Sequence, residues 1–129
     1  MSKPKVESIT ENRDRLIDKM NEKEKIFNKA LSSSVKLSKI YSFDSDKELE
    51  NHLFLLRMHE VLLESTYSQY KDSFQEYKEY YEQAYGEELP EYMGINLRDN
   101  TENFEAVNDE LIKIRENINE FINKQKESE

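Results

Sequence analysis

The chain has 129 residues and no cysteine, with 28 acidic against 19 basic side chains and a formal net charge of −9. The lack of cysteine excludes disulfides, thiolate nucleophiles and thiolate metal sites, and the negative charge argues against direct nucleic-acid binding. Two glycines and two prolines predict few turns and therefore long elements, which one domain of residues 1–129 can accommodate.

No targeting or membrane segment is predicted. The first residues, MSKPKVESITENRDR, contain no apolar signal core, and Ser2 stands where myristoylation requires glycine. The longest apolar stretch lies around residues 53–56, far short of the roughly 20 residues that a membrane-spanning helix needs. We therefore expect a cytoplasmic protein with no membrane contact.

The first predicted helix covers about residues 5–41. Its apolar residues recur at alternating spacings of three and four, which is the heptad pattern of a helix that packs along its length. We call the line of residues at this spacing the seam of the helix. Three of its positions are not apolar, since they hold Arg13, Lys23 and Ser34. The seam follows Val6, Ile9, Leu16, Met20, Phe27, Ala30, Leu37 and Tyr41.

The second predicted helix covers about residues 46–85. Ser45 and Glu48 have the spacing of a capping box, in which each side chain satisfies a backbone N–H at the helix start. At 1.5 Å per residue its 40 residues would span about 60 Å. Glu60 alone interrupts its seam, which follows Leu53, Leu56, Leu63, Tyr67, Tyr70, Phe74, Tyr77, Tyr81 and Ala84.

A loop is predicted over residues 86–99, followed by a third helix over about residues 100–126. Asp99, Asn100 or Thr101 could cap the start of this helix. Its seam is the most regular in the chain and follows Phe104, Val107, Leu111, Ile114, Ile118 and Phe121.

These elements predict an all-α fold, an elongated antiparallel three-helix bundle with coiled-coil-like packing. Residues 1–41 carry a net charge of +4, whereas residues 42–86 carry −6 and residues 87–129 carry −7. Complementary flanking charges favour a basic helix 1 that packs between or across the two acidic helices.

No arrangement of residues indicates catalysis or a cofactor. His52 and His59 are the only histidines, and neither has a glutamate three residues before it, as a di-iron carboxylate bundle requires. Gly86 and Gly94 stand alone, which excludes a phosphate-binding loop. We therefore expect a protein that is not an enzyme and has no catalytic, metal or cofactor site.

Two groups of residues lie off the seam of the second helix and are candidates for protein binding. Between residues 53 and 63 this helix is apolar nearly all round, more than two partner helices can cover. Seven of the eight tyrosines lie within residues 67–92; those on the seam are expected in the core, and the two off it suit a contact surface. The predicted protein-binding residues are Phe54, Leu55, Met58, Leu62, Tyr80 and Tyr85.

The function predicted from these features is a non-catalytic helical protein-binding module, such as an adaptor, an assembly factor, a small complex subunit or a protein inhibitor. Its partner would be another protein or a second copy of itself. The alternative is an acidic DNA mimic that inhibits a DNA-binding protein or nuclease. Residues 64–91 carry eight acids and two lysines, far fewer charges than the roughly 25 of a duplex of similar length.

Overall fold

The computed structural model describes the backbone of residues 6–127 and the side chains of residues 8–127. Three long helices follow one another, α1 (Val6–Ser38), α2 (Asp46–Tyr85) and α3 (Ile95–Glu127), and a short 3-10 helix at Glu91–Gly94 precedes α3. The described residues contain no strand. The predicted all-α three-helix bundle is therefore confirmed. The predicted start of the first helix at residue 5 lies outside the described residues.

Polar side chains across the α1–α2 contact show that these two helices run antiparallel. Lys19 Nζ lies 2.8 Å from Glu76 Oε2, and Lys23 Nζ donates to Gln69 Oε1 at 3.2 Å. A residue further along α1 thus meets one nearer the start of α2. The α1–α2 contact is the most extensive in the molecule.

The α2–α3 contact is also antiparallel. Arg115 Nε donates to Glu60 Oε2 at 2.8 Å, and the Tyr67 hydroxyl lies 2.8 Å from Thr101 Oγ1. Helix α2 therefore makes the larger contacts with both of the others, and α1 and α3 share the smallest contact of the three helix pairs. The net charges of the helices do not predict this extensive α2–α3 contact, because Arg115 supplies the cation that joins two acidic helices.

The core consists of buried apolar side chains from all three helices, and those on α2 recur every seven residues. Helix α2 also buries three polar residues, His52, Thr66 and Ser73. The buried apolar residues are Leu16, Phe27, Ala30 and Leu37 on α1, Leu56, Leu63, Tyr70 and Tyr77 on α2, and Leu111 on α3.

Helix α2 begins and ends at the predicted residues because both of its caps are made. Ser45 Oγ accepts from the Glu48 backbone N–H at 3.2 Å, and Glu48 Oε2 accepts from the Asp44 N–H at 2.8 Å. At the other end Gly86 adopts a φ of 68° and its N–H donates to the Glu82 carbonyl at 3.0 Å. Glycine is favoured there because side chains disfavour left-handed backbone.

Helix α3 begins at Ile95, five residues earlier than predicted, so the loop predicted over residues 86–99 is shorter. The 3-10 helix continues directly into α3, since Ile95 already has right-handed helical backbone. Leu97 packs against the core, and this burial stabilises helix in a segment that lacks a strong local start signal. The proposed cap Thr101 lies inside the helix, where its hydroxyl donates to the Leu97 carbonyl at 2.8 Å.

Helix α1 ends at Ser38, three residues before the predicted end at Tyr41, which is 83% exposed. Of its polar seam residues, Arg13 and Lys23 are half-buried and extend to partners on α2. Ser34 is fully buried, and its hydroxyl has no hydrogen-bond partner. None of the described helices has an apolar segment long enough to cross a membrane.

Candidate protein-binding surface

Exposed apolar side chains are concentrated at the end of the bundle that holds the α1–α2 turn. Twelve large apolar side chains of the described residues are exposed, and eight of them lie at this end. A bundle that buried its apolar residues evenly would not show this bias. The eight are Ile40, Tyr41, Phe54, Leu55, Met58, Val61, Leu62 and Phe121.

Five of these eight form one continuous surface on α2, which we call the α2 stripe. Its residues recur at spacings of three and four, so they share one side of the helix. An exposed apolar surface of this kind is typical of a contact site with another macromolecule. The exposed fractions are 64% for Phe54, 41% for Leu55, 50% for Met58, 66% for Val61 and 47% for Leu62.

The α2 stripe faces away from the core because the other side of the helix is already in use. Leu56 and Leu63 are both fully buried, and Met58 follows Leu56 by two residues, about 200° around the helix axis. Neither α1 nor α3 can cover both sides. The sequence therefore places apolar residues where the single chain leaves them in solvent.

Four of the six predicted binding residues, Phe54, Leu55, Met58 and Leu62, lie in the α2 stripe. Val61 is the most exposed of the five and was not among the predicted residues. Its position seven residues after Phe54 is the signal that would have added it, because residues seven apart lie on the same side of a helix.

The other two predicted residues, Tyr80 and Tyr85, lie elsewhere on the molecule, against the first half of α1. The Tyr80 hydroxyl donates to the Ile9 carbonyl at 2.9 Å, and Arg13 Nη1 donates to the Tyr85 hydroxyl at 3.3 Å. Tyr80 follows Leu62 by 18 residues, about 27 Å along the helix. The structure therefore does not join these tyrosines to the α2 stripe.

Tyrosines in the second half of α2 make hydrogen bonds that tie the helices together. The Tyr70 hydroxyl donates to Glu24 Oε2 on α1 at 2.8 Å and accepts from Asn100 Nδ2 on α3 at 3.3 Å. Burial of the ring raises the pKa of Tyr70, and burial likewise raises the pKa of Tyr77. Much of the abundant tyrosine in this half thus supplies ring area inside the bundle and polar contacts between helices.

A groove of about 680 Å³ lies beside the α1–α2 turn and is a second apolar surface. Its walls come from the turn, the first turn of α2 and the second half of α3. It belongs to the same end of the bundle as the α2 stripe. The apolar residues that line it are Ile40, Tyr41, Phe43, Leu49, Ile114, Ile118 and Phe121.

His52 is a buried residue whose ring packs against the ring of Phe43. The residue is 4% exposed, its ring centroid lies 4.8 Å from that of Phe43, and its Nε2 has no hydrogen-bond partner. The described residues contain no group of three or more potential metal ligands. Burial lowers the pKa of His52, because the apolar surroundings disfavour the charged imidazolium.

We expect the free energy of unfolding to decrease as the pH falls below about 6.5, the usual pKa of histidine in an unfolded chain. Above that pH both states hold a neutral His52. Below it the unfolded state takes up the proton more readily, so stability is lost until the pH passes the lowered pKa of the folded state. Urea unfolding between pH 7.5 and 5 would measure this loss. His52→Gln should remove it, whereas His59→Gln should leave it in place; equal pH dependence in all three proteins would contradict the assignment.

Comparison with protein-family models, with curated protein sequences and with solved structures finds no match to this chain.

Proposed function

We propose that this protein is a non-catalytic helical binding module that contacts a protein partner through the α2 stripe. The observation that carries the proposal is the presence of five neighbouring, exposed apolar side chains on the side of α2 that faces away from the core. Together they expose on the order of 500 Å² of apolar surface, the size at which such a patch on a monomer is often functional.

The rest of the described chain supports the same proposal. The tyrosine-rich half of α2 directs several of its hydroxyl groups to partners within the bundle. The Glu60–Arg115 pair, with both side chains mostly buried, fixes α3 beside α2. A rigid scaffold with one apolar strip along a helix can act as an adaptor, an assembly factor, a small complex subunit or a protein inhibitor, because each of these needs only a preformed contact surface.

The test is a comparison of stripe and control variants in the native host. Tagged wild-type protein, Phe54→Ser with Val61→Ser, and the control Tyr92→Ser would each be expressed, captured and analysed by mass spectrometry. Tyr92 is 71% exposed and lies outside the stripe. We expect the stripe variant to lose at least about tenfold in partner recovery, because a few residues carry most of the binding energy of such contacts, with circular dichroism unchanged in all three proteins.

The same experiment separates this proposal from the DNA-mimic alternative. A partner held by apolar contacts stays bound at high salt, whereas a basic protein held by the acidic surface is released as salt screens the charges. If every captured protein survives the stripe substitutions, the α2 stripe is not the docking surface. If capture instead collapses with salt and added DNA competes, the mimic is the better description.

A further inference from the structure

The α2 stripe has a regular row of charges along one edge. Four exposed residues follow one another at intervals of seven with alternating sign, namely Glu50, Arg57, Glu64 and Lys71. None of the four has an ion-pair partner in the described part of the chain. Since residues seven apart share one side of a helix, this row runs parallel to the stripe.

The opposite edge of the stripe is apolar. Leu55 and Leu62 are also seven residues apart, and Gln69 continues this edge to the point where it meets Lys23 of α1. The α2 stripe therefore has an apolar middle, one apolar edge and one edge of alternating charge. Such a layout is the pattern of a helix that pairs with another helix along its length.

We propose that the occupant of the α2 stripe is a second copy of this chain, with the two α2 helices antiparallel about a two-fold axis between residues 59 and 60. The proposal rests on the proposed function, because it uses the same surface. In this pairing Met58 packs against the partner's Val61, and Leu55 packs against the partner's Leu62. Two-fold symmetry makes each contact twice, as an isologous interface requires.

The same pairing gives the charged edge a partner of opposite sign at each step. Arg57 lies opposite the partner's Glu64, and Glu50 lies opposite the partner's Lys71. Beyond the apolar residues, Lys47 comes opposite the partner's Asp72. Charges arranged in this way fix the orientation and alignment of paired helices.

Other alignments place like charges together. A shift of one heptad in one direction sets Arg57 opposite the partner's Arg57 and Glu50 opposite the partner's Glu64. A shift in the other direction sets Arg57 opposite the partner's Lys71. A parallel pair would place Arg57 beside the partner's Leu62, with no charge to meet it. In the antiparallel alignment, by contrast, the charged edge meets opposite charges and the apolar edge meets apolar residues.

The area available sets the expected strength. Two stripes would together bury on the order of 1,000 Å² of apolar surface, near the lower limit for a specific interface. We therefore expect monomer and dimer to exchange at micromolar concentrations. A dimer of this kind could regulate access to the stripe, since another protein that binds the stripe must displace the second copy.

The test uses charge reversal in the whole chain. Sedimentation analysis over the micromolar range should show wild-type protein that approaches twice the 15.5 kDa mass of one chain. Arg57→Glu alone and Glu64→Arg alone should each lower the association constant by about tenfold or more, because like charges then face each other twice. The double variant should regain the dimer, and an equimolar mixture of the two single variants should form a mixed dimer.

The mixture identifies the antiparallel alignment, because only contact between residue 57 of one chain and residue 64 of the other explains mutual rescue. Lys113→Glu, an equal change of charge at an exposed position on α3, is the control and should leave the mass unchanged. A wild-type mass of one chain throughout, or no rescue in the mixture, would overturn the proposal. If the chain stays monomeric while Phe54→Ser with Val61→Ser still loses a captured protein, self-association fails and the proposed function stands.

Discussion

Phe27→Ala should lower the free energy of unfolding by about 3–5 kcal/mol, as expected when a fully buried phenylalanine is truncated. Phe27 lies on α1, is 0% exposed and meets side chains of both other helices. Its ring centroid lies 5.8 Å from Tyr67, 6.1 Å from Tyr70 and 6.4 Å from Phe104. Truncation would leave a cavity at the point where the helices converge, and so large a loss is a major part of the 5–15 kcal/mol typical of a domain.

Phe54→Ala provides the matched control, because the same atoms are removed from a residue that is 64% exposed. Urea unfolding followed by circular dichroism, at a concentration low enough to keep the chain monomeric, should show a change below about 1 kcal/mol. Equal losses in the two variants would mean that Phe54 is buried in the isolated chain, which would contradict its place in the α2 stripe.

Phe27 and Phe54 show what the periodicity of apolar residues can predict. Heptad spacing separates Phe27 from Phe54 without coordinates, since one lies on the seam and the other does not. The start of α2 is also predicted, because the capping box of Ser45 and Glu48 is a local signal that does not depend on distant contacts. For the same reason four residues of the α2 stripe could be identified from the sequence.

The spacing of apolar residues does not predict which polar residues are buried. Thr66 and Ser73 lie inside the bundle because their hydroxyls donate to backbone carbonyls of the preceding turn, Thr66 to Leu62 at 2.9 Å and Ser73 to Tyr70 at 2.6 Å. These hydrogen bonds offset the cost of burying the hydroxyl groups. The sequence alone does not distinguish a buried serine or threonine bonded in this way from one in solvent. The spacing of apolar residues therefore does not predict that Thr66 and Ser73 belong to the core.

Tyr80 and Tyr85 show a related limit. Their position off the seam predicts exposure, which holds for Tyr85 at 39% exposed, whereas Tyr80 is half-buried. Both hydroxyls nevertheless reach α1, because long aromatic side chains can extend across a helix contact and bond to a distant backbone or cation. The bonds to Ile9 and Arg13 depend on how far α1 extends beside the end of α2. That alignment follows from the whole α1–α2 contact and has no signal within a few residues of either tyrosine.

The start of α3 depends on tertiary contacts in the same way. The segment before residue 100 contains Pro90 and Gly94, which predict a loop from local preference. The structure begins the helix immediately after Gly94, where Leu97 packs on the core. Burial of one side chain therefore outweighs a weak local preference, as it commonly does at helix ends.

Leu111→Asp should cause the largest loss of stability on α3, at least about 4 kcal/mol, because it places an unpaired carboxylate in the core. Leu111 is the residue of α3 that the structure buries completely, at 0% exposed, and it belongs to the central apolar cluster. Its neighbour on the seam, Ile114, is half-buried. Leu111 and Ile114 are thus equivalent seam positions in the sequence but differ in burial. The loss of stability should be larger at Leu111, where solvent cannot reach the charge.

Two further variants separate the charge from the lost leucine. Leu111→Asn removes the same apolar contacts without a charge, so it should lie between wild type and Leu111→Asp in thermal melting. Ala106→Asp adds the same charge to an exposed position on α3 and should change stability by less than about 0.5 kcal/mol. Lower pH should reduce the difference between the Asp and Asn variants, because burial raises the pKa of a carboxyl group and favours its neutral form. If Leu111→Asp costs no more than Ala106→Asp, α3 is not docked on α2 at this point, and the side of α2 that faces α3 would be a second open apolar surface competing with the α2 stripe.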